Sequence, residues 1–171
     1  MKKIILLGHK RNGKDTVAEM INKHFGVKFE SSSMTAAKLF IYDKLKEKYG
    51  YKTFEECYED RMNHRPEWYQ LITEYNTPNK TRLAEEIFKI NDIYVGMRNS
   101  DELAKCKKDK LVDMVIGVYD YRKEEESEDS FPINLWEECD VIIPNSGTLE
   151  ELEARVIKFF KMFYEYNEKR A

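Results

Sequence analysis

The chain has 171 residues, of which 42% are hydrophobic and 36% are charged, with three scattered cysteines and a formal net charge of −3. This composition is typical of one folded domain covering residues 1–171 in a reducing, cytoplasmic compartment. It excludes a disordered chain, a disulfide or zinc framework and, because no apolar run approaches the roughly 20 residues that span a bilayer, a membrane protein.

Short apolar segments alternate with amphipathic helical patterns along the chain. Strands are predicted at residues 3–7, 27–29, 92–96, 112–118 and 141–143, and helices at 14–25, about 35–49 and from 149 onward, with a further helical region over about 50–90. Thr148 and Glu151 form a capping box before the last helix. The acidic stretch 123–130 is expected to be a solvated, mobile loop. The alternation predicts a three-layer α/β domain around a parallel sheet.

The segment GHKRNGKDT follows the first predicted strand and opens the first helix. Glycine, four further residues and then Gly-Lys form a phosphate-binding loop, in which backbone N–H groups and the helix start surround an anion. Residues 1–110 carry 22 Lys and Arg against 17 Asp and Glu, a basic balance that suits a phosphate ligand. The predicted ATP-binding residues of this loop are Gly8, Lys10, Arg11, Asn12, Gly13, Lys14, Asp15 and Thr16.

Asp15 stands where a serine or threonine normally ligates Mg²⁺ through its hydroxyl. Either Asp15 ligates the metal directly or through a water, with Thr16 supplying a hydroxyl one position later, or Asp15 only caps the start of the helix. The first alternative makes Asp15 and Thr16 the predicted metal ligands.

Gly-Lys-Asp-Thr preceded by Lys-Arg resembles the loop of the phage deoxynucleoside monophosphate (dNMP) kinases and their phosphomevalonate kinase relatives. Three further segments are similar to that family in order: SSSMTAAK (31–38), IYVGMRNSDE (93–102) and CDVIIPNSGTLEELEARV (139–156). The resemblance implies a P-loop kinase fold with five parallel strands in the order 2-3-1-4-5. It also implies ATP as phosphoryl donor, Mg²⁺ as cofactor and a helical acceptor-binding insertion at about 34–90.

The resemblance also assigns roles to single residues. It implies that Ser33 borders the acceptor, that Arg98 is catalytic together with Lys14, and that the turn 145–148, with Asn145 and Gly147, borders the adenine. Two departures stand out. Gly96 replaces the family's aspartate, so Asp15 or Glu30 is needed in its place to hold metal-bound water. An arginine-bearing lid is missing, and Arg122 is its nearest candidate.

Arg61 and Arg65 lie four residues apart, which places them on one face of a helix. Two guanidinium groups on one face form a fork for an acceptor phosphate, and Trp68 beside them supplies a ring that can stack on a base. The alternative is an ordinary surface helix whose arginines pair with Glu55, Glu59 and Glu67.

The acceptor decides whether a general base is needed. A phosphate acceptor is already an anion, whereas a hydroxyl acceptor needs a carboxylate, for which Glu30 and Asp60 are the candidates. The leading interpretation is phosphoryl transfer to a dNMP. The alternative is the related phage kinase that phosphorylates the hydroxymethyl group of 5-hydroxymethyluracil in DNA, and a further one is a nucleotide-binding module without turnover. A monomer or homodimer is expected, in the host cytoplasm if the protein is phage-encoded.

Overall fold

The computed structural model, which describes residues 2–168, contains a sheet of five parallel strands in the order β2-β3-β1-β4-β5. The strands are β1 (Ile4–Leu7), β2 (Phe29–Ser31), β3 (Ile93–Val95), β4 (Met114–Tyr119) and β5 (Val141–Pro144). The predicted parallel α/β fold with β1 at the centre of the sheet and the order 2-3-1-4-5 is confirmed.

Helices connect the strands and cover both faces of the sheet. They are α1 (Lys14–Phe25), α2 (Ser32–Ala36), α3 (Tyr42–Tyr49), α4 (Phe54–Asp60), α5 (Arg65–Tyr75), α6 (Arg82–Phe88), α7 (Ser100–Lys108), α8 (Leu135–Glu138) and α9 (Leu149–Glu168). A π-helical turn (Ala37–Ile41) joins α2 to α3, and a 3-10 turn (Arg61–His64) joins α4 to α5.

The central strand is buried on both faces, as its unbroken Ile-Ile-Leu-Leu run predicts. Ile4 and Leu6 pack into the core that α1 and α9 cover, whereas Ile5 and Leu7 pack into the core that α6 and α7 cover. Full burial of each such side chain contributes about 1.5–3 kcal/mol. The sheet therefore packs between two layers of helices, and this packing fixes the position of its carboxyl edge.

The second strand and the helix after it begin at residues other than those predicted. The strand pairs from Phe29 to Ser31, two residues later than expected, and the buried Val27 precedes it. The helix begins at Ser32, three residues earlier than expected, because the Ser31 hydroxyl accepts a hydrogen bond from the Met34 N–H (3.1 Å) and caps it. Glu30 consequently lies inside β2 and not after it.

The helices between β2 and β3 have a small core of their own. Ile41, Leu45, Cys57 and Trp68 are buried together there, with Ala36 and Ala37 at its base. This helical segment, residues 32–88, stands over the carboxyl edge of β2 and β3 and forms one wall of the site described below. Within residues 2–168, no helix is long and apolar enough to cross a membrane.

Candidate active site

The predicted phosphate loop connects β1 to α1 at the carboxyl edge of the sheet. Gly8 follows β1 directly and is buried, and α1 begins at Lys14. Gly13 adopts a left-handed conformation (φ 92°) and packs against Asn145 so closely that a Cβ would overlap its amide. Arg11 is also left-handed (φ 63°). The strand, loop and helix arrangement predicted from the sequence is therefore present.

Asn12 ties this loop to the end of β4 and to the turn after β5. Its buried side chain accepts a hydrogen bond from the Asp120 N–H (2.8 Å) and donates one to the Lys10 carbonyl (3.3 Å). The Asn145 amide donates to the Asn12 carbonyl (2.9 Å). The side chains of Asn12 and Asn145, both predicted to bind ATP, are thus engaged in fixing the shape of the loop.

Arg122, which the sequence offers as the nearest candidate for a lid residue, binds the buried carboxylate of Asp120 through Nε (2.8 Å) and Nη2 (2.9 Å). It also donates to the carbonyl groups of Asn145 (2.8 Å) and Gly147 (3.4 Å). These contacts hold the guanidinium against the β5–α9 turn, and Arg122 does not line the cavity that contains Lys14. Arg122 therefore braces the turn in this structure.

The β5–α9 turn ends in the predicted capping box, in which the Thr148 N–H donates to Glu151 (2.9 Å) and the Glu151 N–H donates to the Thr148 hydroxyl (3.2 Å). The Ser146 hydroxyl in the same turn is buried, and it has no hydrogen-bond partner in the part of the chain that the structure describes. Buried polar groups are normally paired, so this hydroxyl is a candidate contact for the nucleotide.

A cavity of about 290 Å³ opens beside the loop and extends under the helical segment 32–88. This volume is near the lower end of the range for small-molecule sites. The sequence-predicted site residues on its walls are Lys10, Lys14, Asp15, Ser33, Arg61, Arg65, Trp68 and Arg98. The fold therefore brings the lysine of the phosphate loop and the candidate acceptor residues to one space.

Lys14 lies at the mouth of this cavity, with its side chain mostly buried and its Nζ 3.7 Å from the Asp15 carboxylate. Burial lowers the pKa of Lys14, the nearby Arg98 cation lowers it further, and Asp15 opposes both. The Glu126 carboxylate, which pairs with Arg98, also raises the pKa of Lys14, so acidic side chains partly offset the effect of the second cation.

Arg61 and Arg65 both line the cavity, although they do not share one α-helix, because Arg61 belongs to the 3-10 turn and Arg65 begins α5. The Arg61 guanidinium lies 3.8 Å from the centre of the Tyr58 ring and donates to the Tyr58 carbonyl (2.8 Å). Arg65 donates to Glu126 (2.9 Å), which lies 61 residues away in the sequence. Both arginines have partners other than the neighbouring glutamates that the surface-helix alternative required.

The inner wall of the cavity carries polar groups within an apolar and aromatic surface. The Trp68 indole N–H is buried and has no hydrogen-bond partner among residues 2–168. Glu102 is 2% exposed and accepts a hydrogen bond from the Tyr94 hydroxyl (3.2 Å), and burial raises the pKa of Glu102 to about 8. Asn76, also buried, lines the same wall. These groups offer hydrogen bonds to a bound molecule.

Glu126 is a site residue that the sequence did not reveal, because it belongs to the stretch 123–130 predicted as a solvated loop. Its carboxylate accepts hydrogen bonds from Arg65, Arg98 and the Lys10 N–H. The expectation of a freely solvated loop is therefore wrong at this residue. The apolar residues just after the loop were the available signal, since Phe131 is buried and draws the loop back onto the domain.

The two candidate general bases lie outside the large cavity. The Glu30 carboxylate pairs with Lys38 (2.9 Å), and Glu30 lines a separate, smaller cavity. Asp60 accepts hydrogen bonds from the Tyr51 hydroxyl (2.6 Å) and from His64 (2.9 Å), and the Tyr51 hydrogen bond is the main cause of its lowered pKa. Neither carboxylate is positioned beside Lys14.

Asp15 and Thr16 begin α1 next to Lys14, and the Asp15 carboxylate is exposed at the cavity. Residues 2–168 contain no cluster of three or more His, Cys, Asp and Glu side chains that would hold a metal by themselves. Mg²⁺ commonly takes only one or two protein ligands together with phosphates and waters. One carboxylate and one hydroxyl at the start of α1 fit such a shared site.

No family model matches the chain, and no curated protein matches it in sequence. Solved structures do match. A gluconokinase from Sinorhizobium meliloti 1021 is 10% identical, with 99% of this chain and 97% of that chain covered and a TM-score of 0.56. A dephospho-CoA kinase from Campylobacter jejuni is 14% identical (94% and 96% covered, TM-score 0.55). A shikimate kinase from Bacteroides thetaiotaomicron is 12% identical (95% and 98% covered, TM-score 0.53).

These similarities define the class to which the architecture belongs, which is the P-loop kinase fold. Identities of this size show a shared fold and not a shared substrate.

Proposed function

We propose that the protein is an ATP-dependent phosphotransferase that moves the γ-phosphoryl group to a deoxynucleoside monophosphate. The observation that carries the proposal is the position of Lys14, which belongs to the phosphate loop and also lines the arginine-bearing cavity. A donor phosphate in the loop and an acceptor in the cavity would meet at this residue. Phosphoryl transfer depends mainly on such positioning and on neutralising charge.

The charge at the cavity mouth supports a phosphate as the accepting group. Arg61, Arg65 and Arg98 line the same cavity as Lys14, and guanidinium groups bind phosphate oxygens in pairs. An acceptor phosphate carries no proton that must be removed, so it needs no general base. The position of Glu30 outside the cavity, in an ion pair with Lys38, fits that chemistry better than it fits a hydroxyl acceptor.

The residues that line the inner part of the cavity favour an acceptor with a nucleobase at the end opposite its phosphate group. Arg65, Trp68 and Asn76 lie along α5 and its carboxyl end, and Arg65 and Asn76 are separated by roughly 16 Å at the helical rise of 1.5 Å per residue. Aromatic side chains in this wall, among them Trp68, provide surfaces on which a nucleobase can stack. The Trp68 N–H, which has no partner among the described residues, supplies a donor for the edge of the base, and the Glu102 carboxyl supplies a further polar group.

The nucleotide and metal assignments complete the proposal. Asp15 and Thr16 are the residues that would hold Mg²⁺ together with the ATP phosphates, where the ion supplies neutralisation of phosphate charge. The turn 145–148 is the proposed neighbour of the adenine, and the buried Ser146 hydroxyl is a contact available there.

The proposal is tested by measuring ADP release from ATP and Mg²⁺ in the presence of dAMP, dCMP, dGMP or dTMP, with the matching ribonucleotides for comparison. We expect ADP release to depend on at least one dNMP and to saturate with its concentration. A rate of ADP release that no monophosphate alters would contradict the proposed function.

A further inference from the structure

Glu126 fills a position at the boundary between the phosphate loop and the acceptor cavity. One carboxylate oxygen accepts from the Lys10 N–H (2.7 Å) and from Arg98 Nη2 (3.2 Å). The other accepts from Arg65 Nη2 (2.9 Å) and Arg98 Nη1 (3.0 Å). Four donors from the loop, from α5 and from the segment after β3 therefore converge on a single carboxylate.

This set of donors has the chemistry of an oxyanion site. A main-chain N–H of a phosphate loop and two guanidinium groups are the donors that proteins use for phosphate oxygens, and hydrogen bonds between charged partners are stronger than neutral ones. Arg65 and Arg98 also line the cavity together with Lys14. The site thus lies where a substrate phosphoryl group would have to pass.

The glutamate is held there firmly. Its side chain is 12% exposed, and its own N–H donates to His9 Nδ1 (3.1 Å), so the main chain is anchored to the loop as well. Burial opposes ionisation, yet the hydrogen bonds from Arg98, Arg65 and the Lys10 N–H outweigh it and lower the pKa of Glu126 to about 2. Glu126 is consequently an anion at neutral pH.

We propose that the Lys10 N–H, Arg65 and Arg98 form a binding site for a substrate phosphoryl group, and that Glu126 occupies this site in the ligand-free protein until a phosphate displaces it. The identity of that substrate rests on the proposed function, whereas the site itself requires only phosphate chemistry. Glu126 is therefore a tethered competitor of the ligand.

This competition would set which anions enter. A ligand must replace a carboxylate of charge −1 that makes four hydrogen bonds and that its loop keeps at high local concentration. A phosphate group with a second negative charge and more acceptor oxygens can do so, whereas a free carboxylate offers nothing more than Glu126 already provides. The arrangement favours phosphate groups over other anions.

The test is calorimetric titration of the full chain with inorganic phosphate. Glu126→Gln keeps the size of the side chain and removes its charge, and we expect it to bind phosphate at least tenfold more tightly than the wild type. Glu124→Gln removes the same charge from an exposed position on the same loop and should change phosphate affinity by less than twofold. Affinity in Glu126→Gln that is equal to or weaker than that of the wild type would overturn the proposal.

A second variant at the same position allows the test to be made if Glu126→Gln does not fold. Glu126→Asp keeps the charge but shortens the side chain by one methylene, which withdraws the carboxylate from its four donors. It should bind phosphate more tightly than the wild type and less tightly than Glu126→Gln. If Glu126→Gln does not fold, unchanged or weaker binding by Glu126→Asp overturns the proposal.

Phosphate binding involves no turnover, so its outcome is separable from that of the acceptor assay. Tighter binding by the Glu126 variants with no dNMP-dependent ADP release would support the oxyanion site and contradict the dNMP acceptor. Turnover of a dNMP with no tightening in the variants would contradict the role of Glu126 alone.

Discussion

The Cε of Lys14 lies 3.4 Å from the point that a Cβ would occupy on Gly96, and Gly96 has a φ of 84°. The Gly96 carbonyl accepts from the Ser32 hydroxyl (3.2 Å) and its N–H donates to the Leu6 carbonyl (3.0 Å), which fixes this conformation. An aspartate here would strain the backbone and bring its Cβ into van der Waals contact with the lysine. The positive φ thus gives a physical reason for glycine at this position.

Gly96→Ala should lose both stability and nucleotide binding. The left-handed backbone costs about 1–2 kcal/mol for a residue with a Cβ, and the new methyl group would touch Lys14 Cε at 3.4 Å and restrict the positions that the lysine side chain can adopt. Gly26→Ala is the matched control, because Gly26 is also left-handed (φ 67°) but a Cβ added there would have no atom of residues 2–168 within 4 Å other than those of its chain neighbours. Thermal melts should show a loss of stability in both variants, and ATP titrations should show a lower ATP affinity in Gly96→Ala only. Equal ATP affinity in the two variants would contradict the contact.

Lys14→Ala should abolish turnover and leave the fold intact. Removing one preorganised charge contact from a transferred group typically raises the barrier by about 2.7–4 kcal/mol, which corresponds to a loss of about 10²–10³-fold in kcat. Lys23→Ala, on the exposed side of the same helix, is the control and should retain activity. Activity of Lys14→Ala within threefold of the wild type, with an unchanged circular dichroism spectrum, would rule out this loop as the donor site.

Arg61→Ala and Arg65→Ala should weaken the use of the acceptor more than the binding of ATP. Both arginines line the cavity proposed to bind the acceptor, and loss of a charged hydrogen bond to phosphate typically costs about 1.5–3 kcal/mol. Arg82→Ala removes an arginine that stacks on Tyr75 outside the cavity lining and serves as the control. Steady-state kinetics with ATP and the acceptor varied in turn would separate the effects. Unchanged acceptor KM and kcat in both variants would assign these arginines to surface packing.

Glu30→Gln should reduce kcat by less than fivefold. Its carboxylate pairs with Lys38 away from Lys14, and a phosphate acceptor needs no base. The assay is repeated across a Mg²⁺ titration, because a defect in holding the metal is partly rescued by excess metal. A hundredfold loss that Mg²⁺ does not rescue would instead support a hydroxyl acceptor.

Glu102→Gln should flatten the pH dependence of stability. Burial raises the pKa of Glu102 from 4.5 to about 8, so the folded protein keeps a proton that the unfolded chain releases. The contribution of this carboxyl to the free energy of unfolding therefore falls as pH rises from about 4.5 to about 8. Melting temperatures over that range should decline less steeply in Glu102→Gln than in the wild type or in the exposed control Glu74→Gln. Identical slopes would contradict a protonated, buried Glu102.

The parts of the structure that could be predicted well from the sequence depend on local signals. The phosphate loop combines glycine spacing with a buried strand and a helix start within 25 residues, so its geometry follows from adjacent positions. The capping box of Thr148 and Glu151 is equally local. The strand order came from the resemblance and not from periodicity, which does not specify how strands pair.

The position of the Glu30 side chain was harder to predict than the phosphate loop, because it depends on the residue at which β2 ends. A residue after a strand is free to face the sheet edge, whereas a residue inside a strand is directed by the pleat to one face. Glu30 lies inside β2 and pairs with Lys38. Glu126 was missed for a different reason. Its partners Lys10 and Arg65 are 116 and 61 residues away, and nothing in the sequence distinguishes it from the glutamates beside it.

The most direct test of phosphoryl transfer to a dNMP is to follow the γ-phosphate of labelled ATP. The protein is incubated with Mg²⁺, labelled ATP and either the four dNMPs or an oligonucleotide containing 5-hydroxymethyluracil, with Lys14→Ala in parallel. We expect label in a deoxynucleoside diphosphate, none in the oligonucleotide, and neither product with Lys14→Ala. Label in the oligonucleotide and not in any free nucleotide, or no transfer to either acceptor, would contradict the proposed function.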